Sequence, residues 1–373
     1  MIIKVLHILW SANFGGIERL VFDLASAQSE NPKISAEILF GKEEGSGEFF
    51  KEFREAGLRC HFLRLKSGVD FSPHKLLRAA DTFCAYDILH FHGFNPLMAA
   101  AAILSRKKLV YTVHGVFGFG RKRKKIESQR DRLEKAFLNR FVDFVSFNSK
   151  FSRGVAEQRF GLENVKSAVV YNGIGFQAET IDSVIPDKDH LELIKGKFVV
   201  GTSSRFAGFK RIDRLINAFA EFNKEKEIIL LLVGDGILFD ELKRLVNELN
   251  LADRTVFTGY RHNVRQYQKL MDVCAFPSET EPFGLGAVET LSLGKPTIVF
   301  RDGGGIVEIL EGICKEDIVE DVSQLACRLD YYYRHREAIA EGACQRIAYA
   351  RRFDIREAAR QFEGIYQTIM AKK

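Results

Sequence analysis

Phe198-Val199-Val200-Gly201-Thr202-Ser203 is an apolar run, and Ser204-Arg205-Phe206-Ala207-Gly208-Phe209-Lys210 follows it as a polar, glycine-bearing turn. Ile212 to Phe222 then carries Leu215, Ile216 and Phe219 at helical spacing, before a second uninterrupted apolar run, Ile228 to Val233. Apolar runs without alternation, joined through a helix, indicate parallel strands covered on both faces. The unit recurs through Leu238 to Leu249, Val256 to Thr258, Val273 to Pro277, Gly284 to Leu293 and Thr297 to Phe300. An earlier series runs through Ile2 to Trp10, Ile17 to Gln28, Glu37 to Phe40, Gly47 to Ala56, Cys60 to Leu65, Lys75 to Phe83, Ile88 to His92, Pro96 to Leu104, Leu109 to His114 and Asp143 to Asn148. The pattern predicts an α/β protein of two doubly wound domains, facing each other across a cleft fed by loops at the carboxyl ends of the strands.

The 373 residues are too many for one ordinary core and suit two domains of roughly 150 to 200 residues. The first is expected over residues 1–177, ending at Tyr171-Asn172-Gly173-Ile174-Gly175, and the second over 178–354, with a linker in the polar stretch around Pro186 to about Lys197. Ile355 to Met370 spaces Ala359, Phe362, Ile365, Tyr366 and Ile369 as a helical stripe with no strand of its own, so it must dock on something already built. A composition of 46% hydrophobic and 28% charged residues belongs to folded soluble chains. Six scattered cysteines without metal-ligand spacing read as buried thiols of a reducing compartment, and the first apolar run reads as a strand rather than a signal peptide. No stretch reaches the roughly 20 apolar residues of a membrane span, so a cytoplasmic protein with at most peripheral membrane contact is expected. Residues 1–177 hold 27 Lys+Arg against 18 Asp+Glu, the remainder 28 against 31. Residues 106–140, with twelve basic and three acidic side chains, account for the whole N-terminal excess, which makes it a local patch.

The most specific signal is Pro277-Ser278-Glu279-Thr280-Glu281-Pro282-Phe283-Gly284-Leu285-Gly286-Ala287-Val288-Glu289, followed by Gly294-Lys295-Pro296. A strand ends at Pro277 and a helix begins near Gly284, where free backbone N–H groups attract phosphate. Glu281 precedes the helix and Glu289 lies about two turns further on, a separation that suits recognition of hydroxyls along an elongated ligand. On spacing alone, a solvated Glu289 and a helix-start charge at Glu281 explain the pattern equally well. Arg205 and Lys210 flank the turn after Ser203, where a guanidinium and an ammonium can neutralise a diphosphate. A solvated loop, or a helix-start ion pair of Lys210 or Arg211 with Asp213, is the competing account. Gly15 and Gly16 follow the first strand and allow close approach of a ligand to backbone, though they lack the dinucleotide fingerprint. His92 and His114 end neighbouring strands, and Asp235-Gly236 closes another, where a simple turn is the alternative. The D-x-D sequence Asp187-Lys188-Asp189 falls in the expected linker, so no metal-diphosphate site is predicted and no metal is expected. Neither a nucleophile elbow nor a P-loop is present.

Together these residues resemble those of the retaining glycosyltransferases of family 4, over nearly the whole chain. Glu281 to Glu289 matches the E-x7-E motif of that family, including Phe283-Gly284 and the downstream Gly294-x-Pro296. Gly303-Gly304-Gly305 and Glu308 resemble the turn that follows it, and Asn172-Gly173 the end of the first domain. The resemblance implies the GT-B fold, with two Rossmann-like domains and the C-terminal helix, 355–373, returning to the first. It implies a nucleotide diphosphate sugar as donor, with Glu281 on the sugar and Glu289 on the ribose hydroxyls. The N–H groups of Phe283 to Leu285 would meet sugar and phosphates, Arg205 and Lys210 the diphosphate, Gly15 and Gly16 the first-domain loop contact, and His114 the sugar. The diphosphate itself would take the acceptor proton, so no protein base is named. The chain departs from the family pattern at Ile309 to Ile318, where Ile-Leu-Glu-Gly-Ile-Cys-Lys-Glu-Asp-Ile replaces the usual Asn/Thr-Gly-Leu-Val loop.

Acceptor binding falls to the first domain in this layout. Phe117-Gly118-Phe119-Gly120-Arg121-Lys122-Arg123-Lys124-Lys125 follows the His114 strand, and aromatics beside cations suit an anionic membrane surface or a lipid-pyrophosphate acceptor. His92, Phe117 and Arg121 are therefore acceptor-side candidates, with a solvated basic loop as the alternative. A uridine diphosphate sugar is expected ahead of guanosine diphosphate mannose. A sugar-nucleotide epimerase of the same fold is the rival enzyme, separable by product analysis with donor alone. A nucleic-acid binder would leave the E-x7-E arrangement idle, and no nucleic-acid partner is expected.

Overall fold

The computed structural model describes residues 2–11, 15–42, 52–53, 55–68, 70, 72–115, 125–162, 165–176, 186–222 and 227–371. The chain divides into two compact units, Met1–Gly175 with Phe353–Lys373, and Phe176–Arg352.

The first unit contains a parallel sheet of β1 (Ile3–Leu9), β2 (Ile34–Phe40), β3 (Cys60–Phe62), β4 (Ile88–Phe91), β5 (Lys108–Val113), β6 (Phe144–Phe147) and β7 (Ser167–Val169). Its order is β3-β2-β1-β4-β5-β6-β7. All four residues of β4 are buried, as a strand covered on both faces requires. Leu6 and Ile8 of β1 belong to one apolar cluster, Val5 and Leu9 to another, so each face of the sheet has its own core. Helix starts are set by side-chain caps. Asn95 accepts a hydrogen bond from the Met98 N–H at 3.1 Å ahead of the helix Pro96–Ser105, and Ser149 accepts from the Ser152 N–H at 2.9 Å ahead of Lys150–Phe160.

The last helix, Ile355–Met370, belongs to this first unit, as expected. Asp354 caps it by accepting from the Arg356 N–H at 2.8 Å. Ala358, Ala359, Phe362, Tyr366 and Ile369 enter the same core as Leu20 and Leu24 of the helix Gly16–Ser29. The backbones meet at Gly173, where a Cβ would lie 2.5 Å from the Ile355 Cα.

The second unit contains β8 (Phe198–Ser203), β9 (Ile228–Val233), β10 (Thr255–Gly259), β11 (Val273–Phe276), β12 (Thr297–Phe300) and β13 (Ile318–Val319), in the order β10-β9-β8-β11-β12-β13. Every residue of β9 is buried, and Leu215, Ile216 and Phe219 of the helix Ile212–Phe222 enter the core beside it. Three details depart from the sequence reading. Of the six cysteines read as buried, Cys274 is buried, Cys60 and Cys314 are half-buried, and Cys84, Cys327 and Cys344 are exposed, the last three lying on helices whose apolar stripes do not need them. The stretch read as linker holds a short helix, Lys188–Ile194, started by Asp187 accepting from the Asp189 N–H at 3.2 Å and anchored by buried Ile194. The segment after Glu308 supplies a sixth strand, β13, whose two residues are too few to show a period. Most of the expected Gly47 to Ala56 helix lies outside the described residues.

Gly173→Ala is expected to lower stability by about 1–3 kcal/mol, because backbone must move to admit the methyl group. Urea denaturation checks this, and an unchanged midpoint would contradict the close packing of the two segments.

Candidate functional site

In the second unit the strand order reverses between β8 and β11, and ligands of open α/β sheets bind at such a point. The loops leaving β8, β9, β11 and β12 carry the residues singled out by sequence. Lys210 donates to Glu281 Oε2 at 2.5 Å and lies 5.2 Å from the centre of the Phe209 ring. The Glu281 backbone is clamped from the other side, its N–H donating to Gly303 O at 2.8 Å and its carbonyl accepting from the Gly305 N–H at 2.7 Å. Glu279 N–H donates to Phe209 O at 2.7 Å, which ties the β8 and β11 loops together. Thr280 takes a left-handed φ of 55°, held by its N–H bond to Asp302 O at 3.0 Å, and such strain persists only where surrounding bonds fix it. The competing Asp213 ion pair exists, but Arg211 makes it, at 2.9 Å, together with Glu279 at 3.2 Å. Lys210 is thereby left to Glu281.

The helix Leu285–Ser292 begins at Gly284 with no side-chain cap on its first N–H groups. Gly284 has φ 100°, and a Cβ there would lie 2.4 Å from Ile306 Cγ1, so only glycine fits this turn. Glu289 stands about one turn inside the helix, because residues 281–284 are not helical. Its Oε2 accepts from Gln268 Nε2 at 2.9 Å, and the same amide donates to Ser203 Oγ at 2.8 Å. Gln268 is fully buried and was not among the residues flagged from sequence; one glutamine in a short amphipathic helix gives no signal. Phe283 is buried as a core side chain, and Leu285 is half-buried. Arg205 is exposed and has no side-chain partner among the described residues. Asp235 turns back on its own loop, accepting from the Gly236 N–H at 2.6 Å, and is not joined to the Lys210–Glu281 pair.

In the first unit the order reverses between β1 and β4, and a row of histidines lies there, His7, His90 and His92 buried and His114 half-buried. His7 Nδ1 and His92 Nε2 are 2.9 Å apart, as are His92 Nδ1 and His114 Nε2. His7 Nε2 meets Gln28 Oε1 at 2.8 Å. His90, register partner of His7, meets Tyr366 at 2.7 Å and Thr112 at 2.7 Å. The structure therefore joins His92 and His114 and adds His7, His90, Gln28 and Tyr366, which looked like ordinary strand and helix residues in the sequence. Burial lowers the His7 pKa to about 4 and that of His114 to about 3, and holds His90 and His92 well below the ordinary value. All four are neutral at pH 7. The ring nitrogens of His7, His90 and His92 come within 4.8 Å, a metal-like spacing, but all six are engaged in hydrogen bonds to protein groups. Gly15 precedes the helix Gly16–Ser29, its carbonyl accepting from the Arg19 N–H at 3.0 Å. Phe117 and Arg121, with the rest of the basic run to Lys124, lie outside the described residues.

Two Rossmann-like units, each built on a parallel sheet, with the C-terminal helix folded onto the first, are the GT-B class of fold. The model of Glycosyltransferase Family 4 matches residues 14–177, and that of Glycosyl transferases group 1 matches 185–316. The two glycosyltransferase models thus match successive parts of the chain, one in each unit. It is similar to the N-acetyl-alpha-D-glucosaminyl L-malate synthase of Bacillus anthracis, at 32% identity over 41% of this chain and 46% of the relative. It is also similar to a Campylobacter jejuni N-acetylgalactosamine-N,N'-diacetylbacillosaminyl-diphospho-undecaprenol 4-alpha-N-acetylgalactosaminyltransferase, at 27% identity over 40% of this chain and 39% of the relative. The chain thus spans under half the length of these two curated relatives. Anabaena Alr3699/HepE, solved with UDP and glucose, shares the fold at a TM-score of 0.80 and 22% identity, covering 98% of this chain and 100% of that one. These matches give the epimerase reading no support. No helix among the described residues is long and apolar enough to cross a membrane.

Two outcomes follow from the site's electrostatics. Lys210→Ala leaves the Glu281 carboxylate, 12% exposed, without its cation and should lower stability by about 3 kcal/mol. Adding Glu281→Gln should recover most of that loss; urea midpoints of the two variants decide it, and equal loss in both would refute the pairing. Lowering pH from about 6.5 towards 4 should also destabilise the protein, because the unfolded histidines take up protons that the buried ones refuse. The sign is fixed by the depressed native values, and a midpoint flat across that window would contradict them.

Proposed function

We propose that the chain is a retaining glycosyltransferase that moves a hexose or N-acetylhexosamine from a UDP-linked sugar to a glycan or lipid-linked acceptor. The observation that carries this reading is the Lys210–Glu281 pair beside the uncapped helix start at Gly284, at the strand-order reversal of the second unit. In this reading Arg205, exposed and without a side-chain partner among the described residues, takes the diphosphate in a bidentate grip, and Lys210 shares its charge between Glu281 and the phosphates. The N–H groups of Phe283 to Leu285 complete the anion site. Glu289, held by Gln268 through one oxygen, offers the other to ribose hydroxyls. Glu281 accepts from hydroxyls of the sugar, and His114 is the first-unit residue that the family resemblance assigns to the sugar. The acceptor oxygen forms its bond to the anomeric carbon on the face from which the diphosphate leaves, and the leaving diphosphate takes the acceptor proton. Charge neutralisation by Arg205, Lys210 and the helix start makes a metal unnecessary in this scheme. The solved relative with UDP and glucose, and the relative whose name carries a diphospho-undecaprenol acceptor, support a UDP donor and a lipid-linked acceptor. The basic run 117–125 then serves contact with an anionic membrane at its cytoplasmic face.

Thermal unfolding in the presence of a panel of nucleotides and nucleotide sugars, with and without magnesium, tests this. A nucleoside diphosphate at a hundredfold excess over its Kd should add about 2.7 kcal/mol of stability. The shift should be independent of magnesium and lost in Glu289→Ala. Absence of a shift with every nucleotide would overturn the transferase reading.

A further inference from the structure

We propose that Gln28 sets the hydrogen-bonding polarity of His114 through His7 and His92, so that His114 presents a bare acceptor nitrogen to a hydroxyl of the transferred sugar. The inference rests on the reading of His114 given above; Gln28, His7 and His92 act as positioning residues.

A neutral imidazole has one N–H and one lone pair, so in an unbranched row of neutral rings the first bond dictates every other. Gln28 Oε1, which only accepts, faces His7 Nε2 at 2.8 Å, and His7 therefore carries its proton there. His7 Nδ1 then accepts from His92 Nε2–H, and His92 Nδ1 from His114 Nε2–H, each at 2.9 Å. The row ends on His114 Nδ1, a lone pair shielded from solvent and without a hydrogen-bond partner among the described residues. Such a buried acceptor is the atom that a substrate O–H would satisfy. His114 also lines a small cavity with His92, Thr112, Tyr171 and Asn172.

The other half of the same amide governs a second row. Gln28 Nε2 donates to the Tyr366 oxygen at 3.3 Å. Tyr366 O–H is then free to donate to His90 Nδ1 at 2.7 Å, and His90 Nε2–H to Thr112 Oγ1 at 2.7 Å. Thr112 in turn donates to Ser146 Oγ at 2.6 Å. Turning the amide over would reverse both rows and convert His114 Nδ1 into a donor. One side-chain amide thus holds four histidines in a single tautomer. The depressed basicity of all four keeps the logic intact at neutral pH, since a protonated ring would donate from both nitrogens.

Nitrogen-15 NMR of the histidine rings in the full chain reads the tautomers directly. His7, His90, His92 and His114 should all carry the proton on Nε2. In Gln28→Glu the carboxylate only accepts, so it draws the Tyr366 O–H to itself. His90 should then switch to Nδ1–H while the other three stay unchanged, a split that a purely structural role would not produce. Mixed tautomers among the four in the unaltered protein, or an unmoved His90 in Gln28→Glu, would overturn the proposal; the first comparison stands even where the variant does not fold. Adding UDP-glucose should shift the His114 Nδ1 resonance. If the tautomer pattern holds but neither UDP-glucose nor UDP-N-acetylglucosamine moves that resonance, the contact of His114 with the sugar is overturned, and the control of the row by Gln28 remains.

Discussion

Each unit has one place where its helices cannot close over the sheet. Right-handed crossovers put the helices on opposite faces to either side of the first strand, so the loops at the carboxyl ends of β1 and β4, and of β8 and β11, part from one another. Elsewhere most strand residues are sealed by apolar side chains, and a buried polar group needs its own partners, as Asp317 has in Arg328 and Tyr332. Both candidate sites lie at these two partings, and the chemistry follows from how each satisfies its polar side chains.

The two solutions differ in charge. At β8 and β11 the loops remain open to water, and ions persist: Lys210 against Glu281, Arg211 against Asp213 and Glu279, Arg214 against Asp302. At β1 and β4 the helix Gly16–Ser29 and the last helix cover the strands, and burial forbids charge. The first unit uses neutral rings, a phenol and hydroxyls, each bond oriented by its neighbour. The first kind of surface suits a charged group and the second a neutral hydroxyl.

Much of this could be read from the sequence, for identifiable reasons. Strands such as Ile228–Val233 announce themselves because two-sided burial demands unbroken apolar runs. The Glu281 to Glu289 stretch stands out because a turn requiring a left-handed glycine, a helix start and two carboxylates fall within nine residues. The partner that orients Glu289 gave no signal, unlike Lys210 beside Glu281. Gln268 and Gln28 each lie in an amphipathic helix where a polar residue is ordinary, and only the fold brings them to Glu289 and His7. His7 and His90 were hidden differently, inside strands whose apolar neighbours set the pattern. The helix at Lys188–Ile194 escaped because seven residues span barely two turns, too short for periodicity to exceed chance.

Tyr366 links the end of the chain to its beginning. Its hydroxyl bonds to Gln28 and His90, separated from it by 338 and 276 residues. Closing so long a loop costs conformational entropy that one hydrogen bond of about 1 kcal/mol cannot offset. The offset comes from the apolar stripe of the same helix, in which Ala358, Phe362, Tyr366 and Ile369 are buried against Leu20 and Leu24. Packing brings the helix back, and the hydroxyl arrives as a consequence. Without it, Gln28 would lose one of its two anchors and His90 its partner at Nδ1. The amide that orients the first-unit histidines is thus held in place by the last helix of the chain, which ties the polar order of the first unit to a segment built only after the whole second unit.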